Sequence, residues 1–323
     1  MHVDLARELK AHLSARLAAS AAQVSASDLD DRGRWARPAL GLAPIGPAQA
    51  HLAIRLAVKD DADVLLAGLD DAVLEEIDVR VIGAVRALSS PTPEELQRRT
   101  RPLHPGLSVA HPEVTAGTLG GFVRVGGRLA MLSNNHVLAA SDAAAAGDPV
   151  LQPGPADGGV AADRVATLAA FARFSAGERN LLDAAVAVID PEVPVEPGRL
   201  PGGPLTDAPV EVDDLDGEER VEKVGRTTGH TIGRITAVEV DGVSVQYDEA
   251  VLTFDDQVEI EGLSGPFSAG GDSGSVIWRS ADRAPLGLLF AGSETGGRAG
   301  GGVTFANPMA TVLSVLDLEW VAG

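Results

Sequence analysis

The sequence predicts a mainly β protein with a small α/β unit in front of it, and three observations carry that expectation. Aromatic residues make up only 3% of the 323, so the core must be built from Val, Leu, Ile and Ala. The 37 glycines and 20 prolines call for many turns between short elements. Beyond about residue 104, short Val- and Gly-rich segments follow one another with turn residues between them. With 45% hydrophobic residues the chain can bury a sizeable core, and its length favours two domains.

Residues 1–22 place Leu5, Leu9, Leu13 and Leu17 at helical spacing among Asp4 and Glu8, which reads as an amphipathic helix rather than the unbroken apolar core of a signal peptide. A charged, Gly- and Pro-rich linker (28–47) leads to a strand (51–58), a helix (61–74) and a second strand (77–85), together a βαβ-like unit. The segment 89–105 carries four prolines and a charged run, the composition of an exposed connection. The division is therefore an N-terminal regulatory or assembly domain over 1–103, able to support homo-oligomer formation, and a second domain over 104–323. In the second domain, 121–125 and 128–132 form a hairpin through Gly126-Gly127, and 308–318 returns to helix with Pro308 in its first turn.

Composition also bounds the partners. There is no cysteine, so no disulfide braces the fold and no thiol ligates metal, which fits a reducing cytoplasm. A net charge of -20 without a Lys/Arg cluster opposes nucleic-acid binding, and no apolar run is long enough to span a bilayer. Only three lysines stand against many arginines, a bias of GC-rich bacterial genomes.

The residues that carry chemistry lie in the second domain. Gly270-Gly271-Asp272-Ser273-Gly274-Ser275 holds a serine in a tight glycine turn before an apolar strand, so the hydroxyl projects and the amides of Gly271 and Ser273 can converge on a developing oxyanion. A serine hydroxyl needs an adjacent base. Of the seven histidines, His136 stands at a strand-to-helix junction in Ser133-Asn134-Asn135-His136-Val137-Leu138, whereas His2, His12, His51, His104 and His111 read as ordinary core or surface residues. The imidazole in turn needs a carboxylate to fix its tautomer, and Asp183, opening the apolar strand 184–189, is the candidate.

In the order His136, Asp183, Ser273, these segments resemble the trypsin-like, chymotrypsin-fold serine proteases. The segment around His136 is similar to the histidine motif of HtrA-type proteases. Val224-Gly225-Arg226-Thr227-Thr228-Gly229-His230 resembles the Thr-Thr-Gly strand of streptogrisin-like bacterial proteases, and the whole arrangement, with 147–154, is similar to bacterial relatives of the plant narrow-leaf trypsin-like proteins. The resemblance implies a double antiparallel β-barrel of trypsin-like type with the cleft between the barrels. It also implies a His136–Asp183–Ser273 triad, an oxyanion hole from Gly271 and Ser273, a protein or peptide substrate, and no metal or organic cofactor.

By the same likeness Phe267, six residues before the serine, lies at the base of the primary pocket, Phe290, Ala291 and Gly292 form its wall, and His230 is a further pocket candidate. Without a carboxylate at 267 the expected preference is a small or medium apolar side chain. Two other readings stand beside endopeptidase: a catalytically silent binding module on the protease fold, and an esterase with the same triad.

Overall fold

A computed structural model describes the chain apart from residues 22–37, 57–65, 67, 83–92, 216–218, 248, 249, 298 and 299. The N-terminal part contains α1 (Val3–Ala21), β1 (Ala39–Gly46), β2 (Gln49–Leu56), α2 (Asp71–Leu74) and β3 (Ile77–Val81). β4 (Ser108–Val109), β5 (Gly117–Thr118), β6 (Gly121–Val125), β7 (Arg128–Ser133), α3 (Asn135–Leu138), β8 (Pro149–Leu151), β9 (Arg164–Phe171), β10 (Arg179–Asn180) and β11 (Ala185–Ile189) follow. The remainder is β12 (Arg220–Gly225), β13 (Gly229–Asp241), β14 (Val243–Gln246), β15 (Val251–Phe254), β16 (Gln257–Gly262), β17 (Val276–Arg279), β18 (Pro285–Gly292), β19 (Thr304–Pro308), α4 (Met309–Val315) and β20 (Leu318–Val321).

The strands form the expected double barrel. The first sheet runs β20-β6-β7-β11-β9-β8, with every neighbouring pair antiparallel. The second runs β12-β17-β18-β19-β16-β13 and closes on itself, because β13 also pairs with β12. The fold is therefore a chymotrypsin-like pair of antiparallel β-barrels with a helix at the N-terminus. Gly126 and Gly127 both take positive φ in the β6–β7 hairpin, the conformation a two-residue primed turn needs. Leu107, Phe122, Met131, Val137, Leu168 and Ala185 share one core cluster, and Val221, Ile235, Ile260, Ile277 and Leu289 another. A third cluster joins Leu132 and Val186 to Trp278, Leu288 and Met309, the apolar seam between the barrels.

The N-terminal strands depart from a free-standing domain. β1 pairs antiparallel with the far half of β13, β2 with β1, and β3 runs parallel to β2, so all three continue the second barrel's sheet. The parallel β2–β3 pair has the connectivity of a βαβ unit, although 61–65 and 67 of the expected helix over 61–74 lie outside the described residues, as does 83–85 of the expected second strand. α1 lays Leu9, Leu13 and Leu17 on Leu40, Leu52 and Ile54 of the hairpin, while Leu5 faces out. The expected exposed connection is buried from Leu103 onward, where Leu103 N–H donates to the Pro194 carbonyl at 2.8 Å. The final helix stops at Val315, and Leu318 opens β20 against β6, an element too short to leave a sequence pattern.

A charged seam locks the N-terminal strands onto the barrel. Arg55 of β2 donates from Nε to Glu259 Oε2 of β16 at 2.6 Å, and neither side chain has exposed surface. Asp78 takes the other side of the guanidinium at 2.9 Å, and Thr236 donates to Glu259 Oε1 at 2.6 Å. Arg80 of β3 bonds Glu261 at 2.8 Å in the next turn of the same interface. Arg55→Met leaves Glu259 charged in the core without a cation, so it should cost about 3–5 kcal/mol. Arg55→Met combined with Glu259→Met should recover most of that loss, and thermal unfolding of wild type, both singles and the double checks it.

Candidate active site

The first barrel supplies two of the three expected triad residues, each from a short polar stretch at the end of an apolar strand. β7 ends at Ser133, and the three buried polar residues that follow the strand's apolar run are each spent on the backbone. Ser133 Oγ donates to the Thr118 carbonyl at 2.7 Å, Asn134 Nδ2 to the Asp183 carbonyl at 2.6 Å, and Asn135 Nδ2 to the Ala172 carbonyl at 2.6 Å. These bonds start α3 with His136 in its first turn, its ring partly exposed at 13%. Asp183 is fully buried just ahead of β11. Its Oδ2 meets His136 Nδ1 at 2.5 Å and its Oδ1 accepts the His136 backbone N–H at 3.2 Å. A carboxylate at Nδ1 places the ring proton there and leaves Nε2 as the basic nitrogen.

Two further groups hold Asp183. Its N–H donates to Asn307 Oδ1 at 3.0 Å, and the Tyr247 hydroxyl donates to Oδ2 at 2.7 Å. Neither was visible as a site residue in the sequence. Asn307 is a polar residue inside the buried strand β19, and Tyr247 is the single tyrosine of the chain; those two oddities were the available signals.

The second barrel supplies the serine. The turn 270–274 depends on two glycines with positive φ, Gly271 at 86° and Gly274 at 95°. A side chain at Gly271 would also meet Arg226 and Thr227, its ideal Cβ lying 2.5 and 2.6 Å from their side-chain atoms. Among the described residues no group of the chain accepts from the Gly271 or Ser273 N–H. That is the condition an oxyanion hole requires. Ser273 is buried, and its hydroxyl lies 3.4 Å from the Phe290 carbonyl rather than bonding His136. The two ends meet through one residue: Thr118 N–H donates to the Ser273 carbonyl at 2.8 Å, while the Thr118 carbonyl accepts from Ser133, three residues before His136.

Asp272 fixes this turn from behind. Its Oδ1 accepts the N–H groups of Thr227 and Thr228 at 2.8 and 3.1 Å, and its Oδ2 accepts Thr228 Oγ1 at 2.6 Å and Ala269 N–H at 3.0 Å. Lys223 Nζ stands 3.2 Å from Oδ2, with both side chains fully buried. Burial pushes the Lys223 pKa below the ordinary lysine value, and Asp272 works against that push. Thr227 Oγ1 donates to the Gly270 carbonyl at 2.5 Å. The Thr-Thr-Gly segment thus serves as the support of the serine turn. Lys223 passed unremarked in the sequence, although one of three lysines in the Val-rich run 220–225 was a signal.

The expected pocket residues fall into three places. Phe290, Ala291 and Gly292 do lie beside the serine on β18, with Gly274 N–H donating to the Leu289 carbonyl at 2.8 Å. The Phe290 ring, however, is in the core 4.9 Å from Phe254, and the residue offers the site its carbonyl alone. Phe267 is 2% exposed and packs with Val221, Ile235 and Ile277 inside the second barrel, in space that Gly233 leaves open. It is a core residue because a phenyl ring gains more from that interior than from a cleft. His230 stands on the other face of the β12–β13 ladder from Lys223 and Thr231, with Nε2 2.6 Å from Glu222 and its ring stacked 6.0 Å from Trp278. It does not join Phe267 or the β18 wall.

No protein-family model matches the sequence, and no curated protein does. Solved structures do. Thermobifida fusca Protease A is 21% identical with a TM-score of 0.47, over 68% of this chain and 100% of that one. A glutamic acid specific serine protease is 18% identical with a TM-score of 0.48, over 68% and 100%. Cellulomonas bogoriensis chymotrypsin is 21% identical with a TM-score of 0.44, again over 68% and 100%. The structures that this chain is similar to are thus serine proteases of the chymotrypsin fold.

Lys223→Met should leave Asp272 buried without a cation and loosen the turn that carries Ser273. The expected outcome is a loss of about 3 kcal/mol in stability and a more than tenfold slower reaction of Ser273 with a fluorophosphonate. Thermal unfolding and labelling kinetics on the same preparation check both halves.

Proposed function

We propose that the protein is a serine endopeptidase that cleaves peptide bonds through an acyl-enzyme. One observation carries the reading: a buried carboxylate bonded to His136 Nδ1 at 2.5 Å, linked through Thr118 to a serine whose turn leaves two N–H groups without an acceptor among the described residues. In this reading the Ser273 hydroxyl turns from the Phe290 carbonyl toward His136 and attacks the substrate carbonyl while Nε2 takes its proton. Asp183 stabilises the imidazolium, and the Gly271 and Ser273 N–H groups receive the oxyanion. His136 then returns the proton to the leaving amine, and a water repeats the sequence on the acyl-enzyme. Reaction with a fluorophosphonate separates this reading from a silent binding module. Paired assays on a protein and a nitrophenyl ester separate it from an esterase.

Ser273→Ala and His136→Ala should abolish hydrolysis with the fold intact, and Asp183→Asn should lower turnover by about four orders of magnitude. Hydrolysis by the Ser273→Ala protein at the wild-type rate would overturn the assignment.

For specificity we propose a small or medium apolar residue, such as Ala, Val or Leu, on the acyl side of the cleaved bond. The surroundings of the loop after β18 support this reading. Glu261, which lies against Gly297 in the loop after β18, is held by Arg80 at 2.8 Å and by Arg234 at 3.4 Å, so its charge is compensated. The hydroxyls of Ser268 and Thr304 bond one another at 2.7 Å. A basic side chain would therefore meet no uncompensated charge at Glu261. A peptide library scanned at the cleaved position should return apolar residues, and a strong Lys or Arg preference would refute the argument.

A further inference from the structure

Tyr247 is the one buried hydroxyl aimed at the Asp183 carboxylate. It follows β14 in the turn to β15, where its N–H donates to the Ala250 carbonyl at 2.9 Å, so its backbone is anchored on the sheet β10-β15-β14. Its ring is packed against Phe174 at 5.2 Å and Phe254 at 6.3 Å and lies 5.8 Å from the His136 ring. From there the hydroxyl reaches Asp183 Oδ2 at 2.7 Å, the same oxygen that holds His136 Nδ1.

Asp183 has no exposed surface, and among the described residues its side chain faces three donors: the His136 backbone N–H, the His136 ring and Tyr247. None of them is a permanent cation. A buried carboxylate keeps its charge only if donors replace the water it has lost, and its orientation is set by where those donors stand. The His136 N–H fixes Oδ1; the ring of His136 must move a proton during turnover and cannot be the only restraint on Oδ2. Tyr247 supplies the restraint that does not change as the histidine charges. Its own proton is secure, because burial pushes the phenol's pKa well above the ordinary value and the carboxylate adds to that push. The aromatic cluster continues from Tyr247 through Phe254 to Phe290, whose carbonyl accepts the Ser273 hydroxyl, so one packed unit braces both ends of the candidate triad.

We propose that Tyr247 is a positioning residue for catalysis: its hydroxyl holds the Asp183 carboxylate in register with His136 Nδ1. This rests on the peptidase reading above, and it assigns the chain's single tyrosine to the rate of the chemical steps rather than to substrate binding.

The test is Tyr247→Phe, which keeps the packed ring and removes one oxygen. A bond to a charged acceptor is lost, so kcat should fall about ten- to a hundredfold while KM stays within about twofold. The low-field proton resonance of His136 Nδ1 should shift at the same time, which mere loosening of the fold would not produce. Wild-type kcat together with an unmoved resonance would overturn the proposal. If Tyr247→Phe does not fold, the wild-type protein decides it: a cross-relaxation peak between the Tyr247 hydroxyl proton and the His136 Nδ1 proton is expected, and an observed Nδ1 proton without that peak refutes it. The two readings fail separately. Hydrolysis surviving in Ser273→Ala sinks the peptidase assignment, whereas an unimpaired Tyr247→Phe enzyme that Ser273→Ala silences sinks only the role of Tyr247.

Discussion

A carboxylate with no surface in water cannot stand without donors, and meeting that demand at Asp183 is what draws the two barrels into register. Its partners come from both sides of the seam. Asn134 follows β7 and His136 is in α3 of the first barrel, Asn307 is on β19 of the second, and Tyr247 projects from the three-stranded sheet beside it. Each of these bonds spans at least 47 residues of sequence, so each is made only when the distant elements have docked. The apolar seam around Leu132, Val186, Trp278 and Leu288 supplies the attraction between the barrels. Attraction of that kind is indifferent to small slips, whereas the geometry of the Asp183 bonds is not. The polar knot therefore favours the one docking in which these bonds are all made.

The second buried carboxylate solves a different problem. Asp272 precedes the serine and accepts from the Thr227 and Thr228 amides, the Thr228 hydroxyl and Lys223, all from the β12–β13 hairpin. These contacts pull the 270–274 turn inward at Asp272. The same bonds hold in place a turn whose Gly271 and Ser273 N–H groups have no acceptor among the described residues. In the proposed peptidase this would pre-organise the oxyanion hole, because the Lys223–Asp272 pair is already buried before any substrate arrives.

What the sequence made legible is what local chemistry dictates. The glycines around Ser273, the polar run before His136, the apolar strand after Asp183 and the Gly126-Gly127 turn each carry their reason within a few residues, and each stands where expected. What stayed hidden depends on contacts far apart in the chain. Tyr247 meets Asp183 across 64 residues, Asn307 meets it across 124, and Lys223 finds its anion only once β12 closes the barrel. The surroundings of Phe267 and His230 were hidden for a related reason: position relative to Ser273 or to the Thr-Thr-Gly segment does not fix which face of a strand a side chain takes. The pleat put His230 on the face of Glu222 and Trp278, and the ring of Phe267 took the interior of the second barrel.

The N-terminal strands follow from the length of β13. At 13 residues it outruns β12, which pairs with it only as far as Arg234, and on that side its far end around Val238 and Asp241 would be an open edge. β1 covers that edge and β2 covers β1, with Leu40, Leu52 and Ile54 buried under α1. The edge is thereby moved outward to β3, which is five residues long and carries Asp78 and Arg80, both engaged in the charged seam. A short strand with charged residues is a poor template for pairing with another chain. With no cysteine available, the buried Arg55–Glu259 bond and the hairpin beneath α1 tie this extension to the barrel by burial and charge alone. The same strands reach the loop after β18, where Gly296 lies against Val81 and Ile82 and Gly297 against Glu261. Covering the edge of β13 therefore also places Val81 and Ile82 of the extension against the loop that follows β18, so that loop and the extension share one set of contacts.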